Sequence, residues 1–561
     1  MFDAIVVGSG MSGGWVAKEL TEKGLKTLLI ERGPYIEHRA DYTDSLRPWE
    51  LENAGRVSEE EVAADYPIQS TVYAFSSATK KYWVKDSEHP YSTPEGKPFT
   101  WIRGYHLGGR SIMWGRASLR MSDLDFAANA KDGHGCDWPI RYADLAPWYD
   151  HVETFAGISG SLEGLPQLPD GQFLPPMALN DAEKDFKQRI EATFPGRRVI
   201  PGRVANLSEA RKQHLELGRV NCQYRQLCER GCMYGAYFSS LSATLPAAKN
   251  TGNLTLVTDA IAHSLIYDPK SRRARSVRVI DAKTREHRTY DAKLVVLCAS
   301  AIPTAQILLN SRCEAFPNGL ANSSGMVGLN LMDHVGGAFA IGVHPGMMDS
   351  YYRGRRPNGF YIPRFRNIRQ SEDYLRGYGY QGLAWRANWQ TAAAGTIGVG
   401  VETKAKLRKP GPWMLLVAAF GEMLPNPRNR VSLHPTRVDK WGMPLVHVEC
   451  EHGENDRKLF SAAQADASDM LRSAGVEIVS SGHELSIPGS GIHEMGTARM
   501  GVDPHTSVLN RYSQAHDVPN LFITDGAAMA SGGCQNPSLT YMALSARGAH
   551  YAAEFLRAGH I

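Results

Sequence analysis

The chain is 561 residues long, with 43% hydrophobic and 21% charged residues and a formal net charge of +4. That length exceeds one simple core and predicts two domains, or one discontinuous domain carrying another. A small charge with no basic stripe argues against a nucleic-acid partner, and no apolar run approaches the roughly 20 residues that span a bilayer.

Residues 3–34 read as strand, tight turn, helix and strand: DAIVVG, SGMSG, GWVAKELTEKG, KTLLIERG. Apolar runs followed by glycines and then a 3.6-residue period predict a βαβ opening. Residues 35–100 are irregular and charged, a lid-like region with a helix expected at 59–65. WIRGYHLGGRSIMWGRASLR (101–120) is a glycine-punctuated loop, and DWPIRYADLAPWYDHVETFAG (137–157) turns at its proline before an amphipathic helix. The loop NCQYRQLCERGCMYG (221–235) gathers Cys222, Cys228 and Cys232, three of the chain's eight cysteines. Strands are expected at 253–267 and 276–281, and KLVVLCA (293–299) runs into a helix at 303–311. From 335 to 480 the pattern alternates (GTIGVGVETKAKL, PWMLLVAAFGEML, NRVSLHP, PLVHVEC), which predicts an antiparallel sheet with one face free to line a pocket. A helix at 454–474 should pack on it. NLFITDGAAM then reads as strand and turn, and SLTYMALSARGAHYAAEFLRAG as a last long helix.

GSGMSG supplies Gly8, Gly10 and Gly13 as G-x-G-x-x-G, directly after a strand and opening a helix, with Glu31 at the end of the second strand. Together these make the full dinucleotide fingerprint. The glycines permit a tight turn and close approach of backbone to a pyrophosphate at the helix N-terminus. Glu31 would bond an adenosine ribose. A distant strand also delivers Asp525 to a turn where the ribityl and pyrophosphate of a long cofactor could lie. The predicted class is α/β (α+β overall): a Rossmann-type domain from 1–334 plus 485–561, with an antiparallel-sheet substrate domain, 335–484, inserted.

These stretches, with GLNLMDH, HEMGTARMG and LFITDGAAMASGGCQNPSLT, resemble the glucose–methanol–choline (GMC) family of FAD oxidoreductases over nearly the whole chain. The resemblance implies FAD and oxidation of an alcohol. It maps the catalytic base onto His493 and its partner onto Asn536, and the cofactor contacts onto Gly8, Gly10, Ser12, Gly13, Glu31, Arg32, Gly109, Ser111, Met113, Val257 and Asp525. Some members tether FAD through a histidine just before the tryptophan of the 101–120 loop. Met113 stands there in this chain, so FAD is expected to be non-covalent, with His106 the nearest alternative tether.

The spacing C-x5-C-x3-C leaves three readings of the cysteine loop open: an iron–sulfur cluster, zinc completed by His214, or inert thiols. Isolated residues such as Cys298 read as small core hydrophobes. Within the family, a bacterial group of sugar dehydrogenases carries this spacing for a three-iron, four-sulfur (3Fe-4S) cluster, which would make Cys222, Cys228 and Cys232 its ligands. That branch implies oxidation of a sugar or glycoside, C3 preferred. It also implies a small subunit whose twin-arginine signal exports the folded chain to the periplasm, and a cytochrome c acceptor. The N-terminus enters a strand at once, with no signal of its own expected, and a cytoplasmic location is the alternative. The competing functional expectations are an O2-using sugar oxidase, another sugar or polyol dehydrogenase (glucose C1, gluconate C2 or fructose), and a non-catalytic flavin electron-transfer component.

Overall fold

A computed structural model describes residues 1–348, 350, 358–387, 398–408 and 411–561. Two seven-stranded sheets organise it. In the first, Leu254–Val257, Thr27–Ile30 and Phe2–Val7 run parallel, and Phe2–Val7 pairs next with the end of the long strand His287–Leu297. Near the other end of the chain, Leu521–Ile523 adds to the far side of that strand. His287–Leu297 changes partners along its length. Its first half pairs antiparallel with Arg273–Asp281, which pairs in turn with Ala260–Asp268. One strand therefore joins a parallel cofactor layer to an antiparallel meander. The expected single strand at 253–267 is two strands, because the chain kinks at Asp259 (φ 53°), whose N–H reaches Gly33 O at 2.8 Å.

Thr27–Ile30 and most of Phe2–Val7 are buried on both faces, as helices on each side require, whereas the edge strand Leu254–Val257 is only half-buried. Helix Met11–Glu22 covers one face and packs against the last helix, Ser538–Arg557. Trp15, Phe238, Leu297 and Met542 belong to the core so formed.

The second sheet is antiparallel, in the order Glu477–Ser481, Phe339–His344, Trp413–Glu422, Tyr378–Arg386, Phe360–Ile362 and Ile200–Pro201, with His334–Val335 also on Trp413–Glu422. In Trp413–Glu422, alternation sends Trp413, Leu415, Val417 and Ala419 into a core shared with Leu459, Ala463 and Met470 of helix Glu454–Ser473. The opposite face, including Phe420, is only half-buried. A separate hairpin pairs Arg430–Val438 with Pro444–Glu449. The alternating stretch expected to form a strand at 395–407 is corrected: Val401–Arg408 is a helix, and 395–397 lie outside the described residues. The run ETKAKLR has high helix propensity and no β-branched alternation to oppose it. Among the described residues, no helix is long and apolar enough to cross a membrane.

Candidate active site

Between the two sheets lies a cavity of about 710 Å³. Its floor is the turn after the first strand. Gly8 takes φ +97°, open to glycine alone at low cost, and a Cβ on Gly13 would fall 1.7 Å from Gly8 O. Nothing lies within 4 Å of a Cβ on Gly10, so its backbone faces open space at the helix N-terminus. Glu31 closes this end. Its carboxylate accepts Ser9 N–H at 3.1 Å, Ser9 O–H at 2.5 Å and Gly33 N–H at 3.0 Å, and burial still pushes its pKa up. Next to it, the Arg32 guanidinium stacks on Tyr105 at 4.4 Å and on Trp441 at 5.4 Å, with Asp439 at 3.7 Å. Trp441 comes from the tip of the Arg430–Val438 hairpin, which thus straps Arg32 from outside the cavity wall.

The middle of the cavity is walled by Gly109, Ser111 and Met113 from the glycine-punctuated loop. Asp525 lines it too, although its carboxylate is already engaged by Ser300 N–H (2.9 Å), Thr304 O–H (2.6 Å) and Ala527 N–H (2.9 Å). It ties together two chain turns that point into the cleft. Ser12 lies on the wall, whereas Gly13 packs beneath the turn and Val257 stands off the wall, its carbonyl accepting Glu31 N–H at 2.8 Å. Ala260, Ile261 and Ala262 line the cavity beyond it. His106 is buried against Tyr82 and is not on the wall. A glycine cradle, a buried acid and a cleft within the usual ~300–1,000 Å³ of cofactor sites suit a dinucleotide cofactor.

His493 and Asn536 meet at the inner end, Asn536 Nδ2 lying 3.4 Å from His493 Nε2. The approach is built by a two-way backbone bridge between Met332 and Met495, 2.9 Å in each direction. That bridge sets Asp333 and His334 beside His493. Asp333 accepts the N–H groups of Gly491 (2.8 Å) and His493 (3.0 Å), and burial pushes its carboxyl up to about 6. Below them, Arg110 and Glu494 form an ion pair at 2.7 Å. Burial, His334 and Arg110 hold the His493 pKa well below that of an ordinary histidine. Gln381 donates to Asn536 Oδ1 at 2.5 Å, and Leu383 and Phe420 complete the ceiling. These three come from the half-buried face of the antiparallel sheet. The sequence marked the alternation, but not which face would meet the cofactor cleft.

The cysteine loop borders the same cavity, which Gln226 and Glu229 also line. Asp44 anchors the loop by pairing with Arg225 and by accepting Met233 N–H at 2.9 Å. All three thiols are half-buried and free. Burial raises the pKa of Cys222 and carries that of Cys228 up to about 12, with Arg116 opposing the latter. The charges of both other cysteines also reach Cys228. The three cysteines do not bring their sulfurs within 4.8 Å of one another, as a single metal ion would demand. Thiolates on three separate irons stand farther apart. His214 is not available to complete a zinc site: its Nδ1 accepts Arg211 N–H at 3.1 Å, and its Nε2 lies 3.3 Å from Thr154 O.

In comparisons with known proteins, the GMC oxidoreductase family models match residues 2–336 and 425–545. Similar curated proteins include the 2-methyl-1,2-propanediol dehydrogenase of Mycolicibacterium austroafricanum, 28% identical over 98% of this chain and 94% of that one. The fructose dehydrogenase large subunit of Gluconobacter japonicus is 26% identical over 98% and 97% of the two chains, and the paromamine 6′-oxidase of Streptomyces fradiae 28% over 100% and 93%. Among solved structures, pyridoxine 4-oxidase from Mesorbium loti superposes with a TM-score of 0.61 at 18% identity, covering 98% of each chain.

Proposed function

The chain belongs to the GMC oxidoreductase family and oxidises CH–OH groups, and on that premise we propose a dehydrogenase acting on a secondary ring hydroxyl of a sugar or glycoside. The preferred position is C3, as in a glucoside 3-dehydrogenase, giving a 3-keto product. The observation that carries the reading is the His493–Asn536 pair under a ceiling of Gln381, Leu383 and Phe420 at the end of the dinucleotide cradle. We take 1–334 with 485–561 as the cofactor domain and 335–484 as the substrate domain.

FAD, held non-covalently by Gly8, Gly10, Glu31, Arg32, Ser111 and Asp525 with Met113 beside it, would supply the acceptor for the hydride of the carbinol carbon. His493 is neutral at pH 7, and its Nε2 takes the hydroxyl proton as that hydride leaves. The Asn536 amide, fixed by Gln381, donates toward the oxygen as its negative charge grows. Leu383 and Phe420 keep water from the reacting carbon.

Cys222, Cys228 and Cys232 would hold an iron–sulfur cluster, one cysteine to each of three irons, which would give electrons a one-at-a-time outlet toward a cytochrome c. Support comes from the placement of the three free thiols on one anchored loop beside the cavity, with the charges of Arg116 and Arg225 acting to offset that of a Cys222 thiolate. Leu46, Tyr224 and Met233 are exposed on or near this loop and offer an apolar face for a partner. The relatives named as large or flavoprotein subunits support assembly with other subunits, and export to the periplasm with one of them completes the reading.

A second reading, an O2-using oxidase, is favoured by the likeness to paromamine 6′-oxidase. One preparation separates the two. Pure protein should contain iron and acid-labile sulfide, and an alkyl glucoside should bleach its flavin in the absence of air without forming peroxide when air is admitted. Iron-free protein that makes peroxide on turnover supports the oxidase instead.

A further inference from the structure

Behind His493, on the side away from the cavity, stands a second histidine. His334 is 1% exposed, and its ring crosses that of His493 at 82° with centroids 4.8 Å apart. Its Nε2 lies 3.0 Å from Gly533 O, and its Nδ1 lies 2.9 Å from His493 Nδ1. A carbonyl oxygen can only accept, so Nε2 of His334 carries the proton. Burial lowers the pKa of His334 to about 4, so the ring is neutral at pH 7 and its Nδ1 holds a lone pair. The facing Nδ1 of His493 must then be the donor, which leaves the His493 lone pair on Nε2, the atom turned toward Asn536 and the cavity.

Asp333, His334 and His493 bring three potential ligand atoms within 4.8 Å of one another. These groups are already spent on hydrogen bonds: the Asp333 oxygens accept backbone N–H groups and both His334 nitrogens are engaged. Asp333 thus holds backbone, and the two histidine rings are left to bond each other.

We propose that His334 is the positioning residue of this enzyme: through the chain Gly533 C=O···H–Nε2 His334 Nδ1···H–Nδ1 His493 it selects the tautomer in which His493 presents a bare Nε2 to the substrate hydroxyl. The role matches that of a carboxylate behind a catalytic histidine in holding tautomer and ring angle. The difference is charge. A neutral imidazole does not hold the first proton on His493 as an anion would, so the base stays unprotonated at neutral pH. When His493 takes the hydroxyl proton at Nε2, its Nδ1–H bond to His334 becomes charge-assisted and shortens. No second proton moves. The other charged groups around the pair are Arg110 and Glu494, which pair with each other, Asp333, and the Tyr541 phenol from the last helix, whose hydroxyl donates to Glu494 O.

The proposal rests on the alcohol-oxidising reading of the site, and its test is made on FAD-loaded protein. Selective ¹⁵N-histidine labelling, which needs no substrate, should report His334 as the Nε2–H tautomer and His493 as the Nδ1–H tautomer. An Nε2–H assignment for His493 overturns the proposal. With any alcohol that bleaches the flavin, His334→Leu should slow flavin reduction about 100-fold with little change in KM, and His334→Asn, whose amide oxygen replaces the accepting nitrogen, should recover most of that loss. His334→Asp should carry the acid limb of the rate–pH profile upward by about one unit or more, because an anion now faces the base. A fast Leu variant, equally slow Leu and Asn variants, or an unmoved limb in the Asp variant each defeats it. Should no sugar or glycoside bleach wild-type flavin, the proposed substrate falls while the ¹⁵N assignment still decides the role of His334.

Discussion

Asp525 lines the cavity and Asp333 stands behind its wall beside His493, and burial pushes the carboxyl of each up to about 6. An acid with a raised folded pKa binds its proton more tightly folded than unfolded. Its stabilising share is complete below the ordinary carboxyl range near 4 and is lost as pH climbs through about 6. The Tm of FAD-free protein should therefore fall between pH 5 and pH 7.5, and Asp525→Asn should flatten that fall by about 1–3 °C, as scanning calorimetry at the two pH values would show. A variant with the wild-type slope would place the titration elsewhere. Most site residues could be read from local motif: the glycines, Glu31, Asp525, His493 and Asn536. His334 could not. It stands inside GLNLMDH, but its partner lies 159 positions away, and only the Met332–Met495 bridge brings them together. Local spacing carries no information about such a contact.

The βαβ opening shows why a glycine motif is several requirements in one. A methyl on Gly13 collides with Gly8 O inside the turn, whereas a methyl on Gly10 meets no protein atom. Gly13→Ala should cost the apoprotein about 1–3 kcal/mol or more through overpacking and should purify without flavin. Gly10→Ala should melt like wild type and yet bind FAD at least about tenfold more weakly, since its methyl occupies the space a pyrophosphate needs. Fluorescence titration of apoprotein with FAD, beside thermal melts, reads both effects. At this level the sequence was most informative where hydrophobic period and glycine punctuation agreed, as in Phe2–Val7 and Met11–Glu22. It misled where they did not. One apolar run at 253–267 hid a kink at Asp259, and valines alternating with glycines before ETKAKLR suggested a strand where helix propensity prevailed.

Taken whole, the molecule closes around its cleft from both ends of the chain, with wall residues running from Val7 to Tyr541. The strap outside the cavity wall is the part contributed from farthest away: Trp441 covers Arg32, and its indole N–H bonds Ala282 O at 2.9 Å. Bound FAD should raise Tm by mass action. Trp441→Ala should shrink that increment and speed FAD loss about tenfold, because one aromatic lid is worth on the order of 1–2 kcal/mol. Stopped-flow trapping of released flavin measures it, and an unchanged off-rate would show that the strap does not retain the cofactor. Neither the strap nor the ceiling was visible beforehand, because each depends on how two sheets meet.

The ceiling has a consequence for how such a protein can diversify. Gln381, Leu383 and Phe420 project from strands whose other face is locked against helix Glu454–Ser473. Two-residue periodicity separates the side chains that keep the sheet folded from those that meet the substrate, position by position along the same strands. Change at Leu383 can therefore accumulate without touching the glycine turn, the paired histidines or the core beneath, whereas Phe420 packs against both His334 and His493 and Gln381 holds Asn536. Position 383 is therefore where new alcohol preferences should be cheapest to find, in the laboratory as in descent.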